Sequence, residues 1–223
     1  MKNPHLIIID GPDGTGKSTL AGHLTKAYLD ENIGAVHFRD PGSTAVGEHL
    51  RSLVLDPDVH MDPTTIMFTF LAARAQMLAE AANDLARGTT VILDRCWAST
   101  LAYQAWGQGM GEHVVLDTAE FLFNKLIPAT TPIINLYLNA PRQTRLERLA
   151  DTGKVPDRFE SKDEEFYAKV EHGYARAITL AHDVSHHIHH VIDINAAMPF
   201  DSVLAHTLAE IHAIHPPYPR GTI

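Results

Sequence analysis

Short apolar runs closed by turn residues alternate along this chain with longer stretches of helical periodicity. The first run, His5–Asp10, is rich in β-branched residues and stops at Gly11 without a 3.6-residue repeat, so it predicts a strand buried on both faces. A helix follows over Ser18–Asn32, and Ala35–Phe38 predicts a second strand. Asp62 and Pro63 combine an N-cap with a first-turn proline. They open a long helix with apolar positions at Ile66, Phe70, Leu71, Met77, Leu78 and Leu85, ended by Gly88. Further strands are predicted at Thr90–Leu93, at Ile133–Leu138 between Pro132 and Pro141, and at His189–Ile194. Helical stretches separate the strands, which predicts an α/β fold with a five-stranded parallel sheet and helices on both faces. No repeat, linker or low-complexity segment interrupts the 223 residues, so 1-223 reads as a single domain with an irregular tail from His215.

Composition changes this picture in two places. Lys and Arg number 18 against 27 Asp and Glu, a net charge of −9, which argues against polymeric nucleic acid or an anionic membrane as a partner. An anionic substrate would therefore need a local basic patch. The apolar run Leu6–Ile9 is too short for a signal-peptide core or a membrane span, and the single cysteine, Cys96, cannot form an internal disulfide. A cytoplasmic location is expected.

The segment Gly11, Pro12, Asp13, Gly14, Thr15, Gly16, Lys17, Ser18 matches G-x-x-x-x-G-K-[ST] between a predicted strand and a predicted helix, the context that gives the motif meaning. Glycines let backbone N–H groups turn inward around phosphate oxygens, and the helix N-terminus adds partial positive charge. Lys17 is expected to meet the β- and γ-phosphates of ATP, Ser18 to bind Mg²⁺, and Thr19 to complete the nucleotide site. A guanine-reading N-K-x-D is missing: Asn124-Lys125-Leu126-Ile127 lacks the aspartate. The third strand ends in Asp94-Arg95, which sets a ligand for Mg²⁺ or its water beside a cation for a second phosphate.

These motifs and their order resemble the thymidylate kinase family, over a match that runs from the phosphate loop to about Asn195. The family's R-E-P-G-G-T corresponds to Arg39-Asp40-Pro41-Gly42-Ser43-Thr44, and its aspartate-arginine followed by S-x-x-A-Y-Q to Asp94-Arg95 and Ser99-Thr100-Leu101-Ala102-Tyr103-Gln104. Its L-F-x-A-x-R helix corresponds to Thr69-Phe70-Leu71-Ala72-Ala73-Arg74, and its lid pattern D-R-[FI]-E to Asp157-Arg158-Phe159-Glu160. The resemblance implies a three-layer P-loop kinase fold with a short lid at about 148-160, and transfer of the ATP γ-phosphoryl group to a pyrimidine deoxynucleoside monophosphate, dTMP first. It also implies a homodimer.

The resemblance further implies that Arg39 and Arg95 hold the acceptor phosphate, that Phe70 stacks on the base while Arg74 and Gln104 read its edge, and that Ser99 belongs to the same subsite. Phe70 has a rival reading as a core aromatic at helical spacing. Tyr103 resembles the residue that crowds the sugar 2′ position, and Asp13 the carboxylate near that sugar. No arginine stands inside the phosphate loop, so the catalytic set of Lys17, Arg95 and Asp13 is completed from the lid, with Arg148, Lys154 and Arg158 as candidates and Gly153 as hinge. Asn195 falls near the family's adenine-holding loop.

Three positions depart from the pattern. Asp40 is shorter than the family glutamate, Ser43 replaces a glycine, and Cys96 stands where an aromatic or histidine commonly follows the arginine. They leave open a different or modified pyrimidine. The nearest rival is a deoxynucleoside kinase, which would need a carboxylate base for a neutral 5′-hydroxyl and usually has glutamate-arginine-serine where this chain has Asp94-Arg95-Cys96. A nucleotide-binding regulator would have no need of the second phosphate site. His186, His187, His189 and His190 offer no cysteine pair or H-E-x-x-H for zinc and read as solvated strand-end side chains.

Overall fold

A computed structural model of the chain describes residues 4–151, 153, 157–183 and 189–215. Five strands form one parallel sheet: β1 (Leu6–Asp10), β2 (Ala35–Arg39), β3 (Thr90–Asp94), β4 (Ile133–Asn139) and β5 (His189–Asn195). Their order is β2-β3-β1-β4-β5. Central β1 is buried throughout, as its unbroken apolar run requires. Its pleat divides the core: Leu6 and Ile8 enter one apolar cluster and Ile7 and Ile9 the other.

Helices α1 (Lys17–Asp30) and α8 (Phe200–Ile214) cover one face, where Leu20, Leu24, Val203 and Ile211 meet Ile7 and Ile9. The other face is covered by α3 (Pro63–Ala86), α5 (Glu112–Leu126) and α7 (Glu164–Asp183), which bring Met77, Leu78, Leu122 and Val170 to the larger cluster. Three layers result, with α6 (Arg142–Ala150) following β4. The structure agrees with each predicted strand to within a residue or two. Asp62 caps α3 as its sequence suggests, accepting the Thr64 N–H at 2.8 Å.

Helix α8, which follows the last predicted strand, lies outside the sequence-based expectation, and so do two elements nearer the site. Helix α2 (Ala45–Leu55) begins at Thr44, whose hydroxyl accepts the Gly47 N–H at 2.8 Å, and it packs on α3. After β3 a single turn, α4 (Trp97–Thr100), widens into a π-helical segment over Leu101–Gly107, which carries Tyr103 and Gln104. π-Helical turns often occur at functional sites, because the extra residue redirects neighbouring side chains. Helix α7 lies close against this segment: a Cβ at Gly173 would stand 2.6 Å from the Ala102 Cα.

Candidate active site

All five strands end on the same edge of the sheet, where α/β proteins bind ligands. The loop after β1 carries the phosphate motif. Gly14 (φ +81°) approaches α6 so closely that a Cβ would meet the Arg145 carbonyl oxygen at 2.5 Å, and Gly16 (φ +86°) turns the chain into α1. Thr15 Oγ1 donates to the Pro12 carbonyl at 2.9 Å, and Lys17 Nζ to the same carbonyl at 2.7 Å. Lys17 is only 5% exposed. Burial, then the charge of Arg95, lower its pKa to about 7 against the attraction of Asp13, Asp94 and Asp10.

Ser18 and Asp94 meet at the head of α1, Ser18 Oγ donating to Asp94 Oδ2 at 2.5 Å. The other carboxylate oxygen, Asp94 Oδ1, is buried without a protein partner. A hydroxyl and an unsatisfied carboxylate oxygen form the hard oxygen set that Mg²⁺ takes beside nucleotide phosphates.

Arg95 follows in a left-handed conformation (φ +74°), a strained choice for a side chain that aims it back across the loop. Its guanidinium pairs with Asp13, donates to Ser99 Oγ at 3.1 Å, and touches the Gly11 carbonyl at 3.4 Å. Tyr103 also donates its hydroxyl to Asp13. Burial pushes the Asp13 carboxyl upward, but Arg95, Lys17 and the Tyr103 hydroxyl outweigh it and hold the pKa at about 2.

A cleft of about 300 Å³ opens over these groups. Asp13, Gly14, Gly16, Lys17, Ser18, Thr19, Asp94 and Arg95 line it, together with Phe70, Arg74, Ser99, Tyr103 and Gln104. Arg74 is 2% exposed; Nε pairs with Asp40 at 2.6 Å and Nη2 donates to the Cys96 carbonyl and to Thr100 Oγ1. Burial raises the Asp40 carboxyl pKa, with Arg74 opposing. Arg74 Nη1 and Gln104 Nε2 are buried donors with no protein acceptor, the condition a ligand carbonyl would relieve. Phe70 rests on the core and on Phe159 (ring centroids 5.7 Å apart) and also lines the cleft.

The structure places several other candidates away from the cleft or outside its described residues. Arg148 and Arg158 are absent from the cleft lining. Arg148 donates to the Ala196 carbonyl at 2.9 Å, across to the loop after β5. Arg158 donates to the carbonyls of Val54, at 2.9 Å, and of Asp56 and Val59, so it ties the lid segment to the end of α2. Both guanidinium groups are taken up by backbone carbonyls of other segments in this structure. Lys154, like His186 and His187, lies outside the described residues. His190 packs edge-on against His215, 6.1 Å between centroids, which corrects its reading as a merely solvated side chain. Among the described residues no group of three His, Cys, Asp or Glu is arranged to hold a metal. Cys96 is fully buried, and burial pushes its thiol up to about 12, consistent with a packed, unreactive role.

Sequence reasoning missed Arg51, which lines the cleft from α2 and donates to the Pro41 carbonyl at 2.9 Å. Its signal was a cation inside an amphipathic stretch just after the Arg39 loop. Arg39 itself is exposed and reaches Glu48 at 3.1 Å. Asp157 and Glu160 also line the cleft. Asn195 Oδ1 accepts the Ala197 N–H at 3.1 Å and, with Asn139, Pro141 and Asp193, borders a second hollow beside the phosphate loop's neighbour strands.

A P-loop between a buried parallel strand and a helix, a magnesium-type oxygen pair, and cations on a second subsite define a P-loop nucleotide kinase fold and site. The family model for thymidylate kinase matches residues 9–193. Proteins named thymidylate kinase from Alkalilimnicola ehrlichii (34% identical, covering 92% of this chain and 90% of that protein) and from Pseudomonas fluorescens strain SBW25 (37% identical, 74% and 77%) are similar to it. Another, from Carboxydothermus hydrogenoformans, is 34% identical over 75% of this chain and 81% of its own length. The chain belongs to the thymidylate kinase family.

Proposed function

We propose that this chain transfers the γ-phosphoryl group of ATP to dTMP, forming dTDP and ADP. The observation that carries the reading is the lining of the cleft: Lys17, Arg39, Arg51 and Arg95 supply cations, and Arg74 Nη1 and Gln104 Nε2 supply unpaired donors in a wall that also holds Phe70. A pyrimidine monophosphate has an anion at one end and carbonyl acceptors at the other. Lys17 and the loop N–H groups bind the donor phosphates, and Arg39, Arg51 and Arg95 orient the acceptor oxygen towards them. Ser18 and Asp94 would hold Mg²⁺, which neutralises charge on the transferring phosphates.

A phosphate acceptor is already ionised at neutral pH, so no general base is required. That favours a monophosphate over a nucleoside: with its carboxyl at about 2, Asp13 is a poor base for a neutral 5′-hydroxyl. Of the three departures from the family pattern, Asp40 pairs with Arg74 through its side chain, so the shortened carboxylate would alter base preference through that guanidinium, whereas Cys96 meets it only through a backbone carbonyl.

We read 1-223 as one domain with a lid at about 148-160, and ATP and the monophosphate as its partners, with no polymeric nucleic acid. A homodimer accords with Phe68 and Phe121, 59% and 63% exposed on neighbouring helices α3 and α5. Among the described residues no helix is long and apolar enough to cross a membrane. A cytoplasmic setting accords with the single buried, unpaired Cys96.

Incubation with ATP, Mg²⁺ and a panel of dTMP, dUMP, dCMP, a 5-hydroxymethyl pyrimidine monophosphate and thymidine tests the reading. Fastest formation of dTDP is expected. Phosphorylation of thymidine alone would overturn it, and light scattering settles the dimer.

A further inference from the structure

Tyr174 is buried in α7, the helix that leaves the lid segment, and its hydroxyl reaches the acceptor-side arginine. Arg95 Nη1 donates to Tyr174 Oη at 3.0 Å and to Ser99 Oγ at 3.1 Å, while Nη2 pairs with Asp13. Ser99 Oγ donates to Asp10 Oδ1 at 2.5 Å, which commits its only proton. At the 2.8 Å contact between Ser99 and Tyr174 the tyrosine is therefore the donor. Tyr174 gives its proton to Ser99 and a lone pair to Arg95. Burial pushes its pKa up, so the hydroxyl stays protonated.

The remainder of the assembly fixes where that hydroxyl sits. Asp10 also accepts the Cys96 N–H at 3.0 Å, which ties the end of β1 to the turn carrying Arg95. Gly173 admits α7 against Ala102, and the Tyr174 ring meets Tyr103 edge-on with centroids 6.2 Å apart. A guanidinium held at both terminal nitrogens has its plane set, and among the described residues Arg95 makes its hydrogen bonds through Nη1 and Nη2.

The geometry points to Tyr174 as a positioning residue for phosphoryl transfer: its hydroxyl orients the Arg95 guanidinium towards the acceptor phosphate and makes α7 part of the acceptor site. The inference rests on the monophosphate kinase reading above. A misdirected charge stabilises the transferring group less even when the arginine remains, so the effect falls on the acceptor and spares ATP.

Tyr174→Phe removes one oxygen and keeps the ring. The parent protein is assayed first with ATP, Mg²⁺ and dTMP; no dTDP at that stage overturns the thymidylate kinase reading, and the variants are then compared on whichever monophosphate the panel identifies. With the fold checked by circular dichroism, Tyr174→Phe should lower kcat/KM for the monophosphate roughly 10- to 100-fold, the range for one hydrogen bond to a charged group. The KM for ATP should stay within about twofold. In an Arg95→Ala background the same substitution should change kcat/KM by less than about twofold, because the side chain it orients is gone. Equal losses for both substrates, or the full loss persisting without Arg95, would show Tyr174 to be packing only. If Tyr174→Phe fails to fold, Tyr174→Met, which also removes the hydroxyl and fills much of the ring's volume, goes through the same cycle with the same two outcomes.

Discussion

Raising the pH while ATP binds should expose the state of Lys17. This ammonium is 5% exposed, and burial with the neighbouring Arg95 charge lowers its pKa from 10.5 to about 7. ATP places several negative charges against it and should return the pKa towards its ordinary value, so the complex holds a proton that the free protein has partly lost. At pH 8 a group titrating at about 7 is about 90% neutral, so binding should take up about 0.9 proton, against about 0.5 at pH 7. The sign follows: the complex binds more protons, so affinity falls as pH rises, approaching ~10-fold per unit above 7. The nucleotide contributes little at pH 8, because a terminal phosphate with a second pKa of about 6 is already ionised there. Titration calorimetry with ATP and Mg²⁺ at pH 8, in buffers of different ionisation heat and without acceptor, reads the proton count as a slope. Lys17→Met should abolish it. A slope near zero or of opposite sign in the parent, or an unchanged slope in Lys17→Met, would refute the reasoning.

Phe70→Ala should weaken monophosphate binding by roughly 1–3 kcal/mol while leaving ATP affinity nearly unchanged; early melting with loss of both ligands would favour the core reading instead. Tyr103→Ala should relax preference for deoxyribose, measured as the ratio of kcat/KM for dTMP and its ribose counterpart, whereas Tyr103→Phe should keep most of it because the ring remains. An alanine variant that discriminates like the parent would remove Tyr103 as the gate. Arg158→Ala should lower stability by about 1–3 kcal/mol in denaturant, since carbonyls at the end of α2 lose a charged donor. A large fall in kcat with unchanged stability would instead return Arg158 to catalysis.

Much of this protein was legible in the sequence because hydrophobic periodicity and turn chemistry are local. The β-branched runs at Leu6, Thr90 and Ile133 had to be buried, and the helices between them require parallel strands. The phosphate loop was equally legible, since glycines at 11, 14 and 16 and the lysine at 17 act within a few residues of backbone. Order of motifs carried the family.

Charged side chains behaved differently. Arg158 finds its acceptors about a hundred residues away, at Val54, and Arg148 finds Ala196 in the loop after the neighbouring strand β5, so neither destination follows from a lid-like position. Arg51 enters the cleft because Thr44 caps α2 and sets its face, a cap the sequence reading passed over. Tyr174 reads in sequence as one more apolar position of an amphipathic helix; only the approach of Gly173 to Ala102 brings its hydroxyl to Arg95. Burial of apolar residues depends on a pattern within one element. Where a buried donor or charge ends depends on which acceptors the folded chain leaves unpaired, and that competition is decided only when distant segments meet.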